Sequence, residues 1–406
     1  MRTNLLIIAS ALLALTSCKL TDKVEESIID TSTKTIVMHH TNQLNEIKKQ
    51  DKLLNPRTID PNGKVQYIPK DDWTSGFFPG SLWMTYKLTK EEQWKDIAHQ
   101  YTEMLDAVKH LKWHHDVGFM IGCSFLNGYR LTDNPDYIEV IIQAAKSLST
   151  RYREGAQAIQ SWDNDKGWQA KRGWSCPVII DNMMNLELLF EASILSGDPV
   201  FHNIAVTHAK TTLENQFRDD NSCYHVIDYD VNTGEVRSKE TAQGYADESA
   251  WARGQAWALY GYTVCYRYTN DSLFLEQAEK IYDFIFNHPR LPEDLIPYWD
   301  FDDESIPNAP RDASAAACTA SGLYELYLHT SNEKYLTTAN KLVNTLASPN
   351  YTAKEHTNGN FILMHSVGSI PHGVEIDVPL NYADYYFIEA IARKKNIEAG
   401  ESILNK

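Results

Sequence analysis

Asp181 lies in the run Pro177-Val178-Ile179-Ile180-Asp181-Asn182-Met183-Met184-Asn185-Leu186, between β-branched residues and an apolar, helix-forming segment. A carboxyl group walled by apolar neighbours is disfavoured in its charged form, so its pKa climbs from about 3.9 towards neutrality. Such a group can give up a proton near pH 7, which is general-acid chemistry. The competing role is structural, because Asp is a favoured N-cap and a helix is predicted to begin here.

A second acid is placed in the same way. Trp113-His114-His115-Asp116-Val117-Gly118-Phe119 sets Asp116 just ahead of another predicted helix. Two carboxylates that face one pocket can take different protonation states and divide acid and electrostatic roles. N-capping is again the alternative. Side chains of neighbouring residues diverge, so His114 and His115 are read as hydrogen-bonding groups and not as a metal pair.

The third cluster joins Thr241-Ala242-Gln243-Gly244-Tyr245 to Trp251-Ala252-Arg253-Gly254-Gln255-Ala256-Trp257. On a helix Trp251 and Gln255 share one face, and Arg253 and Trp257 share another. Indoles stack on sugar faces, and the planar Arg fork fits a carboxylate. Taken singly, these residues also fit a core Trp and an ion pair; their density favours a binding site. Trp73, in Asp72-Trp73-Thr74-Ser75-Gly76, is another aromatic ahead of a helix.

Other machines are absent. The sequence holds no G-x-S-x-G elbow, no phosphate-binding glycine loop, no H-E-x-x-H and no G-x-G-x-x-G after a strand. Asp228-Tyr229-Asp230-Val231-Asn232 starts like a calcium loop, but Thr233 takes the glycine position and no closing Glu follows, so it is read as a hairpin turn. Nothing calls for a metal or a cofactor. The net charge of −16 would repel nucleic acid, and an acidic ligand must be short and held by a few local cations.

The elements that must position these groups are announced by a repeat. A Ser or Thr is followed five residues later by an aromatic and nine residues later by Ala or Ile, at Thr89, Trp94, Ala98; Thr132, Tyr137, Ile141; Ser196, Phe201, Ala205; Thr269, Phe274, Ala278; and Thr330, Tyr335, Ala339. Each copy closes one apolar helical run and opens another, so these are helix-turn-helix joints. Helices are expected near 24–50, 76–88, 91–110, 119–131, 134–153, 182–195, 199–216, 249–268, 271–287, 313–329, 332–347 and 380–395. Six hairpins, with the last helix beside the first, predict an all-α (α/α)6 toroid whose inner helices begin at a common mouth. One β-hairpin insertion is expected over 223–236, turning at Asn232-Thr233-Gly234. The Trp-, Pro- and Gly-rich loops at 154–178 and 287–311 are long enough to carry function.

The N-terminus reads as an address. Met1-Arg2, the apolar Leu5 to Leu15, and Leu15-Thr16-Ser17-Cys18 have the form of an export signal too short to span a bilayer. Cys18 resembles the lipidated cysteine of a bacterial lipobox. The expected division is a signal peptide over 1–17, a lipidated tether over 18–23 and a single catalytic domain over 24–406, in an exported lipoprotein of the periplasm-facing or outer membrane. The membrane is met only through that anchor. The other five cysteines are scattered and read as packed apolar residues.

Together with Pro297-Tyr298-Trp299-Asp300-Phe301-Asp302, Pro310-Arg311-Asp312-Ala313-Ser314 and the stretch Glu375 to Phe387, the motifs around Trp73, Asp116, Asp181, Gln243 and Arg253 resemble the unsaturated glucuronyl hydrolases of glycoside hydrolase family 88. The resemblance runs over nearly all of the mature chain. It implies the same toroid, and short unsaturated uronic-acid oligosaccharides, lyase-generated from glycosaminoglycans, as substrates. Asp181 would donate a proton to C4 of the 4,5-unsaturated uronate, and Asp116 would be the second essential carboxylate. His115, His225, Thr241, Gln243, Trp251, Arg253 and Trp257, with Trp73 and Ser369, would contact substrate, and Arg253 would meet the uronate carboxylate. Relatives acting on sulfated fragments often carry Ser-x-x-Ser-x-Lys; here Ser366 and Ser369 are present but Pro371 replaces the lysine. Three rivals remain: an unsaturated rhamnogalacturonyl hydrolase, a non-catalytic sugar-binding lipoprotein, and a sugar epimerase, which would want paired histidine bases.

Overall fold

The computed structural model describes residues 27–403, so the signal over 1–17, the tether over 18–23 and Cys18 lie outside the described residues. In chain order the helices are α1 (Ile28–Lys48), α2 (Phe77–Thr89), α3 (Glu92–Glu103), α4 (Val117–Ile121), α5 (Asn127–Thr132), α6 (Asp136–Ser149), α7 (Leu186–Ser196), α8 (Pro199–Asn215), α9 (Ala252–Thr269), α10 (Ser272–Asn287), α11 (Ala313–Thr330), α12 (Glu333–Leu346) and α13 (Asn381–Ala399). A π-helical turn, Gly122–Leu126, joins α4 to α5 as one rod, which leaves twelve rods among the described residues.

All five copies of the repeat form the same joint. In the α2–α3 joint Thr89 Oγ1 donates to the Thr85 carbonyl 2.9 Å away and accepts the Glu91 N–H at 3.2 Å. Thr132, Ser196, Thr269 and Thr330 repeat both bonds. The next residue is left-handed each time, at Lys90, Asp133, Gly197, Asn270 and Ser331. The hydroxyl thus satisfies groups that a helix end leaves open while the chain reverses. The aromatic five residues on and the Ala or Ile nine on are buried every time.

Alternate rods differ in what they hide. Rods α9 and α11 are buried almost throughout, whereas α3, α10 and α12 bury one stripe. The ring is traced by contacts of α13 with α2 and α11, of α11 with α9, and of α9 with α7, and is completed through α4 and the π turn. The first helix packs against both α13 and α2, which closes the sixth pair. This is the (α/α)6 toroid that the repeat predicts.

The β structure exceeds the one expected hairpin. Strands β1 (Asn55–Ile59) and β2 (Val65–Ile68) form one antiparallel pair, and β3 (Tyr152–Arg153) and β4 (Ala158–Ile159) a second. The expected hairpin is β6 (Val226–Tyr229) with β7 (Val236–Glu240), but β5 (Cys176–Ile179) joins it as a third strand. Strands β8 (Ser366–Ser369) and β9 (Val374–Val378) pair near the mouth. Asp230 accepts the N–H groups of Asn232 and Thr233, which makes 230–234 a turn.

Several helix ends depart from expectation. The helix expected over 91–110 stops at Glu103 and gives way to a 3-10 turn at Asp106–His110, and the one expected to 153 stops at Ser149. The helix expected from 182 opens as a 3-10 segment, Ile180–Asn185. The one expected from 249 starts only at Ala252, because Ser249 donates to Asp300 at 2.7 Å and Ala250 N–H to Asp302 at 2.9 Å. Cys123, Cys176, Cys223, Cys265 and Cys318 are free thiols, all buried.

Candidate active site

Strand pairing places Asp181. Ile179 pairs with Val226, and Ile180 N–H donates to the His225 carbonyl at 3.0 Å, so the 3-10 turn after β5 carries Asp181 alongside His225. Neither Asp181 nor Asp116 makes the side-chain bond of an N-cap. Both carboxylates instead line one cavity of about 320 Å³ at the mouth of the toroid.

Asp116 is held by the start of α4. Gly118 lets that helix lie against Asn185, since a Cβ there would stand 2.3 Å from Asn185 Oδ1. Asn185 Oδ1 accepts the Phe119 N–H at 2.9 Å, so its Nδ2 faces His115 Nδ1 at 3.2 Å. His115 Nδ1 is thereby the acceptor, and its Nε2–H is directed at Asp116 Oδ1, 3.3 Å away. Sequence predicts hydrogen bonding for His114 too, and its Nδ1 accepts the Asp116 N–H at 3.1 Å.

The two acids are pushed in opposite directions. Burial drives Asp181 up to about 7, aided by the nearby charge of Asp116 and opposed by Arg253. Burial also acts on Asp116, but His115, His114 and Arg151 outweigh it and hold its carboxyl below the usual range. Burial keeps His115 neutral, lowered to about 4, and His225 neutral, well below its ordinary value. A protonated acid beside an ionised one, with neutral imidazole N–H donors, is the division expected of a site that donates a proton near neutral pH.

Three buried polar atoms here form no hydrogen bond within the protein: Asp181 Oδ2 and Arg253 Nε, on residues of the cavity lining, and His225 Nε2, 3.7 Å from Asp181 Oδ2. A buried polar group left unmet costs about 1–3 kcal/mol. Two of them, on Asp181 and Arg253, belong to the lining of one cavity, which suits it to a polar ligand.

The substrate-contacting set expected from the resemblance is gathered around this mouth, in unequal roles. Gln243 and Trp73 line the cavity with His115 and Arg253. Thr241 Oγ1 accepts the Gly244 N–H at 2.8 Å, closing the turn that holds Gln243. Trp251 is 2% exposed and packs between His225 and Arg253, and Trp257 is fully buried against Phe119 and Tyr386. These two indoles therefore shape the floor and are not open stacking faces. Ser369 is bonded to His372 Nδ1 at 2.7 Å, and His372 is the one that reaches the cavity. The Arg253 fork is already engaged, with Nη1 on Asp312 at 3.0 Å and on the Val367 carbonyl, and Nη2 on the Gly368 carbonyl at 2.7 Å. Its Nε–H and one Nη2–H are left without a protein acceptor.

The model of Glycosyl Hydrolase Family 88 matches residues 28–404. The chain belongs to that family. Within family 88 it is 52% identical over 334 residues to the unsaturated glucuronyl hydrolase of Formosa agariphila, covering 82% of each. It is 33% identical to the unsaturated chondroitin disaccharide hydrolase of Streptococcus agalactiae, over 82% of this chain and 83% of the relative. Among solved structures, an unsaturated glucuronyl hydrolase specific for heparin superposes with a TM-score of 0.87 at 45% identity, over 92% of this chain and 98% of that one.

Beside Trp73, the open aromatic faces of this family 88 site come from two residues that the sequence motifs did not mark. Trp162 and Trp168 line the cavity with Arg57, Gln169, Ile179 and His372. Trp162 stacks on Trp174 at 5.8 Å and meets Trp168 edge-on at 5.1 Å. Both come from the 154–178 loop, whose length and Trp content were a usable signal. Arg57 gave none: it reaches the cavity from β1 and is tied to Glu375 at 2.6 Å and Asp72 at 2.9 Å.

Proposed function

We infer that this glycoside hydrolase removes the 4,5-unsaturated uronate from the non-reducing end of lyase-generated glycosaminoglycan oligosaccharides. One observation carries the reading: Asp181, raised to about 7, shares a cavity with Asp116, which is held low. Protonated Asp181 gives its proton to C4 of the enol ether, leaving positive charge shared by C5 and the ring oxygen. The carboxylate so formed takes a proton from water as that water adds to C5. The hemiketal opens to a ketone, and the hemiacetal left at C1 releases the neighbouring sugar. One water is consumed, and the glycosidic bond breaks as a consequence of hydration. Asp116 stays ionised and offsets the developing cation.

The relatives supply two candidate substrate families, heparin and chondroitin fragments. Pro371 in place of the motif lysine removes one sulfate ligand, and the 45% identity to the heparin-specific hydrolase, against 33% to the chondroitin enzyme, favours the first. The test is a time course of the ultraviolet absorbance of the conjugated enol ether across sulfated and unsulfated unsaturated disaccharides. Loss of absorbance with release of the second sugar supports the reading; stable binding without absorbance change sinks it.

We further propose export and lipidation at Cys18, on the strength of the N-terminal pattern. Replacing Cys18→Ser should move the protein from the membrane fraction to the soluble one.

A further inference from the structure

Three short segments each serve two cavities. Residues 70–73 give Trp73 to the catalytic cavity and Lys70 and Asp71 to a second cleft, of about 610 Å³. Residues 112–116 give it His115 and Asp116 and send Lys112 and Trp113 to the cleft, and Trp162 and Asp163 divide likewise. Neighbouring Cα atoms lie about 3.8 Å apart. The two spaces are therefore separated by little more than the width of the chain.

The second cleft has a ligand's chemistry. Trp113 is 53% exposed and is the one exposed tryptophan of the ten in the chain. Its ring is braced edge-on by His114, with centroids 4.1 Å apart, so it presents a fixed apolar face at little entropic cost. Lys70 and Lys112 are exposed beside it, with His110. Of the two acids lining the cleft, Asp163 is paired with Arg151 at 2.9 Å, which leaves Asp71 facing two lysines. A locally cationic cleft is notable in a chain whose net charge is −16.

We propose that this cleft binds the reducing-end continuation of an acidic oligosaccharide whose unsaturated end occupies the catalytic cavity. Trp113 stacks on a sugar face, and Lys70 and Lys112 pair with a carboxylate or sulfate. The proposal rests on the functional reading above.

The test compares kcat/KM for an unsaturated disaccharide and an unsaturated tetrasaccharide from the same lyase digest, in the parent, in Trp113→Ala and in the double variant Lys70→Ala/Lys112→Ala. Disaccharide turnover should stay within about two-fold while the tetrasaccharide loses about ten-fold, through KM. The double variant should also lose the salt dependence of the tetrasaccharide KM. Equal losses on both substrates, or none on the longer one, overturn the proposal. Tetrasaccharides with and without sulfate separate the two anion sources. Should the parent turn over neither substrate, the functional reading fails, and calorimetric titration decides the cleft alone. A tetrasaccharide advantage that vanishes in both variants supports it, and the lack of one overturns it.

Discussion

His225 Nε2 stands 3.7 Å from Asp181 Oδ2, while its Nδ1 accepts the backbone N–H groups of Ala242 and Gln243 at 3.0 and 3.1 Å. The ring is therefore fixed as an Nε2–H donor, and the separation is too long for a bond to the acid itself. Neither atom has a hydrogen-bond partner within the protein, and the Asp181 carboxyl lines the cavity. Substituting His225→Ala should lower kcat/KM by about 10- to 100-fold, the value of a buried donor to substrate, without changing the protonation range of the reaction. A pH–rate profile at saturating and limiting substrate separates this from a general-base role, which would abolish a limb.

Asp181→Asn should reduce turnover by about 10²- to 10⁴-fold or more, the usual worth of a placed acid, with circular dichroism unchanged. A variant retaining most of its activity on an unsaturated disaccharide would show the proton to come from elsewhere.

Stability should respond to pH through the same residue. Asp181 is raised to about 7 in the folded chain, against about 3.9 unfolded. The folded state thus binds the extra proton, and the associated stability is complete below the unfolded value and lost as pH rises through 7. Removing the charge in Asp181→Asn should shift the Tm difference in favour of the variant as pH rises from about 4 to about 7. Asp384, raised to about 7 by burial although it accepts the N–H groups of Ile362 and Leu363, should show the same trend in Asp384→Asn.

Removal of the Asp116 charge should move the basic limb of the rate profile. Its charge is one of the causes that raise Asp181, so Asp116→Asn should lower the pH at which activity falls away, beside its direct cost in kcat. A limb that stays put would mean the two carboxylates are electrostatically independent.

Arg253 and Asp312 form a pair with side-chain exposures of 1% and 0%. Breaking it by Arg253→Met should cost about 3–5 kcal/mol of stability, because Asp312 is left as an unpaired buried charge. Arg253→Met/Asp312→Asn should recover much of the Tm without recovering activity.

The repeat was legible in sequence because each joint is local. A hydroxyl, a left-handed residue and a cap within three positions of one another need no distant partner, and the buried aromatic and the Ala or Ile keep helical spacing. Six hairpins and the toroid followed. Asp181 and Asp116 were legible for a similar reason, as acids embedded in apolar runs at helix starts. Which of the clustered residues would face the ligand was not legible. Trp251, Arg253 and Trp257 occupy the predicted first turns of α9, yet packing buries both indoles and β8 with Asp312 engages the guanidinium. Trp162, Trp168, His372 and Arg57 reach the cavity from loops and strand edges whose approach depends on pairings more than 40 residues apart, such as β5 with β6 and Arg57 with Glu375. Short-range hydrogen bonding and periodic burial are written along the chain, whereas the direction of a side chain at the mouth is set by whatever the fold brings up from elsewhere.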